Sequence, residues 1–562
     1  FITVLLFRVY FVNSQTVSTS SLPSSCQSYI YCHGELLNDV QLSEVYPDSK
    51  TFVDKRLLYS PDVVLQKYEE LRKQFNNSTP PKINVTQFVA ENFVEGNELD
   101  VWSPPDWSDQ PAILHKISDP KLREWAKSLN SIWLNLSRKV DDKVKENPDM
   151  FSLIYVPNGF IIPGGRFKEL YYWDTYWIVK GLLICDMAET AKGVISNLLY
   201  LLKTIGHIPN GSRVYYLQRT QPPMLTQMVY SYYKHTEDLN FVKENIELLD
   251  SEMDYFINTR TVTVEKNGES YKLFRYNAPS EGPRPESYRE DLQTASFAGD
   301  DKAKQDVYTE LKSAAESGWD FSSRWFIDKG TNKGNISSIY TTNIVPVDLN
   351  ALMHLNFKTL LYFYRILNRV DNIKKYHHLS KDLLKGINNV FWDKEEGIWF
   401  DYDIQNNIPR KYFYMSNFVP LWTRSYARTP ISMSKAVLRY INKVNLTQYI
   451  GGSPSSLEQS GEQWDYPNAW PPLQAFLIQG LERISALETT QLAKHFANVV
   501  IHSNYKGFQD FGAMFEKYSA LEVGRTGSGG EYEGQKGFGW TNGFAFEILN
   551  KWGSSLNTNS WE

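Results

Sequence analysis

The residues with the clearest chemical potential lie in segment 163–177, which reads PGGRFKELYYWDTYW. This segment combines a guanidinium group (Arg166) with two carboxylates (Glu169 and Asp174) and several aromatic rings. Guanidinium and carboxylate groups hydrogen-bond to hydroxyls, and flat rings can stack on the apolar face of a sugar. The composition therefore suits a carbohydrate site, although an aromatic-rich helix start packed in a core would have the same composition.

Two acidic residues lie in sequence contexts that suit acid–base chemistry. Hydrolysis of a glycosidic bond needs one carboxyl to protonate the departing oxygen and another to activate water or attack the sugar. Asp320 lies in Gly-Trp-Asp-Phe, where apolar neighbours would desolvate the carboxyl and raise its pKa. Glu516 lies in Phe-Glu-Lys-Tyr, where the adjacent ammonium would favour the ionised carboxylate. With 64 acidic residues in the chain, these contexts alone do not separate Asp320 and Glu516 from surface or helix-capping acids.

Four further stretches of the chain carry the same mixture of arginines, carboxylates, amides and rings. They are GHIPNGSRVYYLQRTQPP (206–223), EGPRPES (281–287) with ESGWDFSSR (316–324), QWDYPNAWPP (463–472), and MFEKY (514–518) with GGEY (529–532) and GFGWTNG (537–543). Two of their arginines, Arg219 and Arg284, join Arg166 of segment 163–177 as candidates for binding a ligand. A guanidinium group presents fixed donors suited to paired hydroxyls or carboxylates.

Together these segments resemble the signatures of the trehalases, glycoside hydrolases that split α,α-trehalose into two glucoses, and look most like those of soluble insect trehalases. The resemblance covers most of the chain in the family's order. It implies an inverting reaction with Asp320 as general acid and Glu516 as general base, with carboxyls about 6.5–9.5 Å apart to leave room for water. The substrate contacts that it implies are Arg166, Trp173, Asp174, Asn210, Arg219, Gln221, Arg284, Glu286, Gly318 and Glu531, the last holding the second glucose.

Other residues of these segments have less specific expectations. Trp464 and Asp465 are expected to border the pocket, and Trp470 and Trp540 could be stacking platforms or plain core residues. The glycine-rich loop 524–537 could act as a lid.

Two other functions are compatible with parts of this pattern. A helical-barrel glycosidase for a different α-glucoside would need a differently shaped second sugar subsite, which Glu531 and segment 463–472 argue against. A catalytically inactive sugar-binding protein would be expected to lack Asp320 or Glu516, and both are present.

No sequence pattern indicates a metal, a nucleotide cofactor or a nucleic-acid partner. The nine His residues are scattered, without His-Glu-X-X-His or Cys-X-X-Cys, and G-x-G-x-x-G and Walker motifs are lacking. Two carboxyls and water suffice for hydrolysis, so we expect no metal and no cofactor. The net charge is −5 without any Lys/Arg run, so we expect no nucleic-acid surface, and the resemblance implies trehalose as the partner.

The elements that must position these residues are mainly helical. Apolar residues spaced by three and four run through 119–140, with Asp119 as a cap and Pro120 at the first helical position. Similar patterns cover roughly 169–186, 189–205, 222–235, 239–258, 347–368, 372–391, 431–443, 471–484, 488–503 and 541–551. This periodicity fits either a closed ring of helical hairpins or a solenoid.

The resemblance implies an (α/α)6 barrel, so the expected fold class is all-α, with aromatic and glycine-rich active-site loops. One minor β-hairpin is predicted because Thr261–Glu265 alternates, Asn267-Gly268 supplies a tight turn and Tyr271–Tyr276 returns.

The expected domain organisation has three parts. Residues 1–15, largely apolar, read as a residual signal peptide, with a short buried helix as the alternative. Residues 16–118 are expected to form an N-terminal extension packed on the barrel, with 76–111 as a loop excursion, and 119–555 to form the catalytic barrel.

Several features fit a secreted, extracellular protein. Asn-X-Ser/Thr sites occur at Asn76, Asn77, Asn84, Asn135, Asn335 and Asn445, whereas Asn210 also matches but lies in a site segment and is expected to carry no glycan. Cys26 and Cys32 are close enough to form a small disulfide loop, leaving Cys185 as a buried free thiol. Beyond the first residues no apolar stretch is long enough for a membrane anchor.

Overall fold

The computed structural model describes residues 22–561, so the predicted signal peptide (1–15) lies outside the described residues. The helices are α1 (Glu35–Leu42), α2 (Lys50–Val53), α3 (Pro61–Lys73), α4 (Lys82–Asn92), α5 (Pro120–Leu136), α6 (Asp142–Glu146), α7 (Asp174–Ile184), α8 (Ala188–Ile205), α9 (Leu225–Thr236), α10 (Leu239–Arg260), α11 (Tyr288–Ala295), α12 (Asp301–Glu316), α13 (Val347–Ile366), α14 (Val370–Gly386), α15 (Val419–Thr423), α16 (Pro430–Lys443), α17 (Pro471–Arg483), α18 (Leu487–Phe511) and α19 (Gly539–Trp552).

The strands are short and form small antiparallel sheets in the loops between helices. They are β1 (Arg56–Leu57), β2 (Phe93–Val94), β3 (Leu99–Val101), β4 (Ser137–Val140), β5 (Phe160–Ile161), β6 (Thr261–Lys266), β7 (Glu269–Phe274), β8 (Ile344–Val345), β9 (Trp392–Asp393), β10 (Ile398–Trp399), β11 (Tyr402–Asp403), β12 (Ile408–Pro409), β13 (Asn468–Ala469) and β14 (Tyr518–Ser519).

Twelve helices form a barrel of two concentric layers. The inner helices α7, α9, α13, α15, α17 and α19 each contact the next in this order, and α19 packs along α7, so the ring is closed. The outer helices α5, α8, α10, α14, α16 and α18 each precede one inner helix along the chain. This alternation is an (α/α)6 barrel, as expected, and the closure excludes a solenoid.

Helix α5 shows how local sequence sets the barrel elements. The Asp119 carboxylate accepts hydrogen bonds from the backbone N–H groups of Lys121 and Leu122, and Pro120 is the first helical residue. This is the predicted cap, and it satisfies donors that the first helical turn leaves free. The face that carries Trp125 and Trp133 is buried in the main core.

Two helices that matter for the site escaped prediction. The inner helix α15 has only five residues, which is too short to display a helical period. Helix α12 buries mainly small or polar side chains next to Tyr308 and Leu311, so few large apolar residues mark its buried face. The expectation of a loop over 76–111 was also wrong, because α4, β2 and β3 lie within it.

The N-terminal helices α1–α4 enclose a second, smaller apolar cluster. Phe52 packs near Phe93, Tyr68 packs near Phe88, and the cluster extends onto Tyr171 at the start of the barrel. The Cys26–Cys32 disulfide lies in this region, and Cys185 is a buried free thiol, as predicted.

The predicted hairpin is present as β6 and β7. Their register pairs Thr261 with Phe274 and Lys266 with Glu269. Asn267 and Gly268 both have positive φ, at 54° and 77°, which is the backbone geometry that an Asn-Gly turn adopts readily. Within residues 22–561, no helix has the length and apolar character required to cross a membrane.

Candidate active site

A pocket of about 640 Å³, including its part open to solvent, lies where the loops preceding the inner helices converge. Trp173 lies directly before α7, Trp470 directly before α17, and Phe538 directly before α19. The pocket is lined by all twelve residues predicted from the sequence: Arg166, Trp173, Asp174, Asn210, Arg219, Gln221, Arg284, Glu286, Gly318, Asp320, Glu516 and Glu531.

Asp320 lies four residues beyond the end of α12 and projects into the pocket from a loop with buried neighbours on both sides. Burial raises the pKa of this carboxyl to about 7, although the guanidinium groups of Arg284 and Arg219 act in the opposite direction. The charge of Glu531 adds to the increase. A carboxyl with this pKa is substantially protonated near neutral pH and can donate a proton.

Glu516 follows the outer helix α18 and is held by two hydrogen bonds. The Tyr532 hydroxyl donates to Oε1 at 2.8 Å, and the Gln535 backbone N–H donates to Oε2 at 3.1 Å. Burial raises the pKa of Glu516, while the Lys517 ammonium and these donors oppose the increase. The predicted effect of the adjacent lysine therefore has the expected sign, but burial outweighs it.

Asp174 is a third carboxyl in the same pocket. Burial raises its pKa to about 8, and the nearby charges of Glu516 and Asp320 contribute to the increase. Three carboxyls in one pocket cannot all ionise without mutual repulsion, so their protonation states are linked.

Gly318 lets the chain approach the Trp173 ring. Its φ of +78° is rarely adopted by other residues, and a Cβ atom at this position would lie 2.8 Å from the ring. A larger residue here would displace Trp173 from the pocket wall.

Two of the three predicted arginines form ion pairs across the pocket. Arg219 donates to Glu286 at 2.6 Å and to the side-chain oxygen of Asn210 at 3.0 Å. Arg284 donates to both oxygens of Asp291 and to Glu531 at 2.8 Å. These ion pairs fix the orientation of each guanidinium plane. They therefore also fix the directions in which the remaining N–H donors point.

Arg166 is oriented by the N-terminal region. Its Nε and Nη2 donate to the two oxygens of Asp48 at 2.9 and 2.7 Å, a bidentate pair over 118 residues of sequence. The guanidinium also lies 4.8 Å from the Tyr532 ring centroid. The backbone N–H of Arg166 donates to the Gln535 side chain, which ties this arginine to loop 524–537.

The aromatic wall of the pocket is a stack of tryptophans. Trp464 and Trp470 are parallel with centroids 3.8 Å apart, and both line the pocket together with Trp540. Trp540 also donates its indole N–H to the Glu516 carbonyl, so it supports the main chain of that residue. Trp464 borders the pocket, as expected. Trp470 and Trp540, which could have been stacking platforms or plain core residues, also line the pocket.

The expectation for Asp465 was wrong, because this residue is fully buried and does not line the pocket. Its carboxylate accepts hydrogen bonds from the Ser322 hydroxyl and the Ser323 backbone N–H. These bonds hold the segment directly after Asp320 in place. A buried aspartate that accepts several hydrogen bonds cannot be recognised from the sequence motif alone.

Sequence reasoning missed several pocket residues. Phe167, Tyr216, Tyr532 and Phe538 line the pocket and lie within the quoted segments, so their motif membership was the available signal. Asp48, in contrast, is a lone acid outside all of these segments.

Acidic groups with raised pKa values, paired arginines and a tryptophan wall can hydrogen-bond to a sugar and stack on it. Comparison with known proteins gives the family. The trehalase family model matches residues 44–553. The trehalase of Pimpla hypochondriaca is 45% identical, with 94% of this chain and 90% of that protein covered. The trehalase of Homo sapiens is also 45% identical, with 96% and 92% covered.

Among solved structures, neutral trehalase Nth1 from Saccharomyces cerevisiae matches with a TM-score of 0.58 at 21% identity, covering 74% of this chain and 81% of that chain. This likeness concerns the helical-barrel fold. The sequence relationships are much closer and extend over nearly the whole chain. The chain belongs to the trehalase family and is a glycoside hydrolase.

Proposed function

We propose that this enzyme hydrolyses α,α-trehalose to two glucose molecules with inversion at one anomeric carbon, Asp320 acting as general acid and Glu516 as general base. The observation that carries the proposal is the convergence of all twelve predicted residues on one pocket that contains both carboxyls. The names of the relatives supply the substrate, since each is a trehalase.

The environments of the two carboxyls support different roles. Asp320 has a pKa raised to about 7 by burial, so it can carry the proton that the glycosidic oxygen needs. Glu516 accepts hydrogen bonds from Tyr532 and Gln535, which stabilise the ionised form that a base needs. In the proposed reaction Glu516 takes a proton from water as that water attacks the anomeric carbon, and Asp320 protonates the leaving glucose.

Recognition of a neutral disaccharide would fall to the paired side chains. Arg219 with Glu286, and Arg284 with Glu531, offer adjacent donors and acceptors that match neighbouring sugar hydroxyls. Trp173 and the tryptophan wall supply apolar surface for the sugar rings. Glu531 is proposed to hold the second glucose, as the family resemblance implies, and it lines the pocket from the glycine-rich loop 524–537.

We also propose that the protein is secreted and glycosylated. The side chains of Asn76, Asn77, Asn135, Asn335 and Asn445 are exposed, whereas Asn210 is buried in the pocket. The Cys26–Cys32 disulfide is typical of an oxidising compartment. Mass spectrometry before and after enzymatic deglycosylation of the protein from its native source would test this part.

The experiment that tests the catalytic proposal is NMR of the glucose anomers formed in the first seconds of trehalose hydrolysis. Inversion gives equal amounts of α- and β-glucose, because one ring leaves with its anomeric oxygen and the other is attacked by water. Initial α-glucose alone would mean retention and would overturn the mechanism. Asp320→Asn and Glu516→Gln are each expected to lower kcat by at least about 10³-fold, whereas full activity in either variant would refute its assigned role.

A further inference from the structure

Segment 463–472 contains a side chain that links the two candidate catalytic loops. Gln463 is 1% exposed, and its Nε2 donates to the backbone carbonyl of Asp320 at 2.6 Å. Its Oε1 accepts from Lys517 Nζ at 2.7 Å. Lys517 directly follows Glu516 in the chain. One amide and one ammonium therefore connect the backbone of Asp320 to the residue next to Glu516.

The Gln463 end of this link is itself held in place by hydrogen bonds to its backbone carbonyl and to its neighbour in the chain. The Gln463 carbonyl accepts hydrogen bonds from Asn468 Nδ2 at 2.9 Å and from the Trp470 indole N–H at 2.8 Å. The following residue, Trp464, donates its backbone N–H to the Phe321 carbonyl at 3.0 Å. This backbone hydrogen bond is a further connection between segment 463–472 and the loop of Asp320.

Lys517 is fully buried and uses its donors on neutral oxygens. Besides Gln463, its ammonium donates to the Gly529 carbonyl at 3.3 Å and lies 5.1 Å from the Trp470 ring centroid. An ammonium buried with only neutral acceptors is costly, so its placement needs a reason beyond stability. Its position beside Glu516 and its hydrogen bond to Gln463 supply that reason.

We infer that Gln463 and Lys517 are positioning residues that fix the separation of the Asp320 and Glu516 carboxyls through the Gln463–Lys517 bridge. The inference rests on the proposed roles of these carboxyls and deepens them. In an inverting glycosidase the gap between acid and base must accommodate one water molecule. Because a misplacement of about 1 Å can cost about 10²-fold in rate, a rigid tie between the two loops has a direct catalytic value.

The bridge also places a positive charge beside the acid–base pair. The Lys517 charge lowers the pKa of Glu516, in opposition to burial. Removing the ammonium therefore raises the pKa of Glu516, whereas a neutral change at Gln463 leaves that charge in place. The other ionisable groups facing the pair are Arg166, Asp174, Arg219, Arg284, Glu531 and Tyr532.

The first test compares Gln463→Met with a matched control, Gln474→Met. Gln474 is also a buried glutamine with two side-chain hydrogen bonds, accepting from the backbone N–H of Ser453 and donating to its carbonyl, so its bonds do not join the loops of Asp320 and Glu516. We expect Gln463→Met to lower kcat about 10–100-fold with KM changed less than about 3-fold. Gln474→Met is expected to lower the melting temperature without this loss of kcat. Equal kcat in the two variants would overturn the inference.

Two further variants test the hydrogen bond to Asp320 and the ammonium charge of Lys517. Gln463→Glu keeps an acceptor for Lys517 but cannot donate to the Asp320 carbonyl, so it cuts one connection without emptying the site. It is expected to lose kcat as Gln463→Met does, and activity like that of the unchanged enzyme would contradict the bridge. Lys517→Met is expected to lower kcat and also to move the acidic limb of the pH profile to higher pH. An unmoved limb would remove the electrostatic part of the inference.

The double variant tests whether both residues act through one connection. If they do, Gln463→Met adds less than about 3-fold to the loss of kcat in Lys517→Met, whereas losses that multiply would refute a shared bridge. Asp320→Asn and Glu516→Gln distinguish a failure of the proposed function from a failure of the bridge alone. If either remains active, the proposed function fails. If both are inactive but Gln463→Met resembles Gln474→Met, the bridge alone fails.

Discussion

Replacing Tyr532 by Phe should move the acidic limb of the pH–rate profile without dismantling the pocket. The Tyr532 hydroxyl donates to Glu516 Oε1 at 2.8 Å, whereas its ring packs edge-on against Phe167 with centroids 5.4 Å apart. Tyr532→Phe keeps the ring and removes only the donor. Glu516 then retains the Gln535 backbone N–H on its other oxygen, at 3.1 Å.

The magnitude follows from the charge on the acceptor. A hydrogen bond to an ionised group is worth about 1.5–3 kcal/mol. Since one pKa unit corresponds to about 1.4 kcal/mol, losing this bond from the ionised form should raise the pKa of Glu516 by about 1–2 units. A base must be deprotonated to act, so the acidic limb of kcat/KM should move to higher pH by the same amount. The basic limb, assigned to Asp320, should stay in place.

The assay is glucose release from trehalose at low substrate concentration, measured across the whole bell-shaped profile. Tyr505→Phe is a suitable control, because it removes a hydroxyl that accepts from Gln509 on the outer helix α18, outside the pocket. It should leave both limbs unchanged. An unmoved acidic limb in Tyr532→Phe would refute the claim that Glu516 titrates there as the base. Movement of the basic limb instead would mean that the roles of Asp320 and Glu516 are reversed.

Three further outcomes can be measured. Glu531→Gln removes a negative charge that raises the pKa of Asp320, so the basic limb of the pH–rate profile should move to lower pH and KM for trehalose should rise. Movement of the basic limb to higher pH would contradict this prediction. Arg324 is fully buried and forms ion pairs with Asp348 and Asp401, so Arg324→Met should lower the free energy of unfolding by about 3–5 kcal/mol in denaturant titrations. A loss below about 1 kcal/mol would show that these ion pairs add little. Loop 524–537 bonds to Glu516 and Arg284, so substrate should slow its amide hydrogen exchange, and unchanged exchange and protease sensitivity would refute a lid.

The parts of the fold that were predictable carry local signals. Asp119 with Pro120 marks the start of α5, and Asn267-Gly268 marks the turn between β6 and β7. Helices α12 and α15 lack such signals, since α12 buries few large apolar side chains and α15 is too short to display a period. Closure of the ring depends on contact between α19 and α7, a long-range contact that no local pattern specifies.

The site was predictable only through the motifs as a set. Composition and spacing could not single out Asp320 among 64 acids, whereas its place in an ordered series of family segments could. The residues that orient the site were not accessible in this way. Asp48 pairs with Arg166 across 118 residues, and Lys517 meets Gln463 across 54 residues. Such pairings become visible only when the fold brings the segments together.

The pairing of charges explains why a pocket with three arginines can still hold a protonated acid. Arg166 is paired with Asp48, Arg219 with Glu286, and Arg284 with Asp291 and Glu531. Each guanidinium is thus largely neutralised by its own carboxylate, so burial prevails and the pKa of Asp320 rises to about 7. Lys517 donates to neutral oxygens, and its ammonium lowers the pKa of Glu516, although burial lowers the pKa of Lys517 itself. We expect the same distribution to leave N–H donors of the arginines for sugar hydroxyls and to favour one proton and one negative charge on the proposed acid–base pair, Asp320 and Glu516.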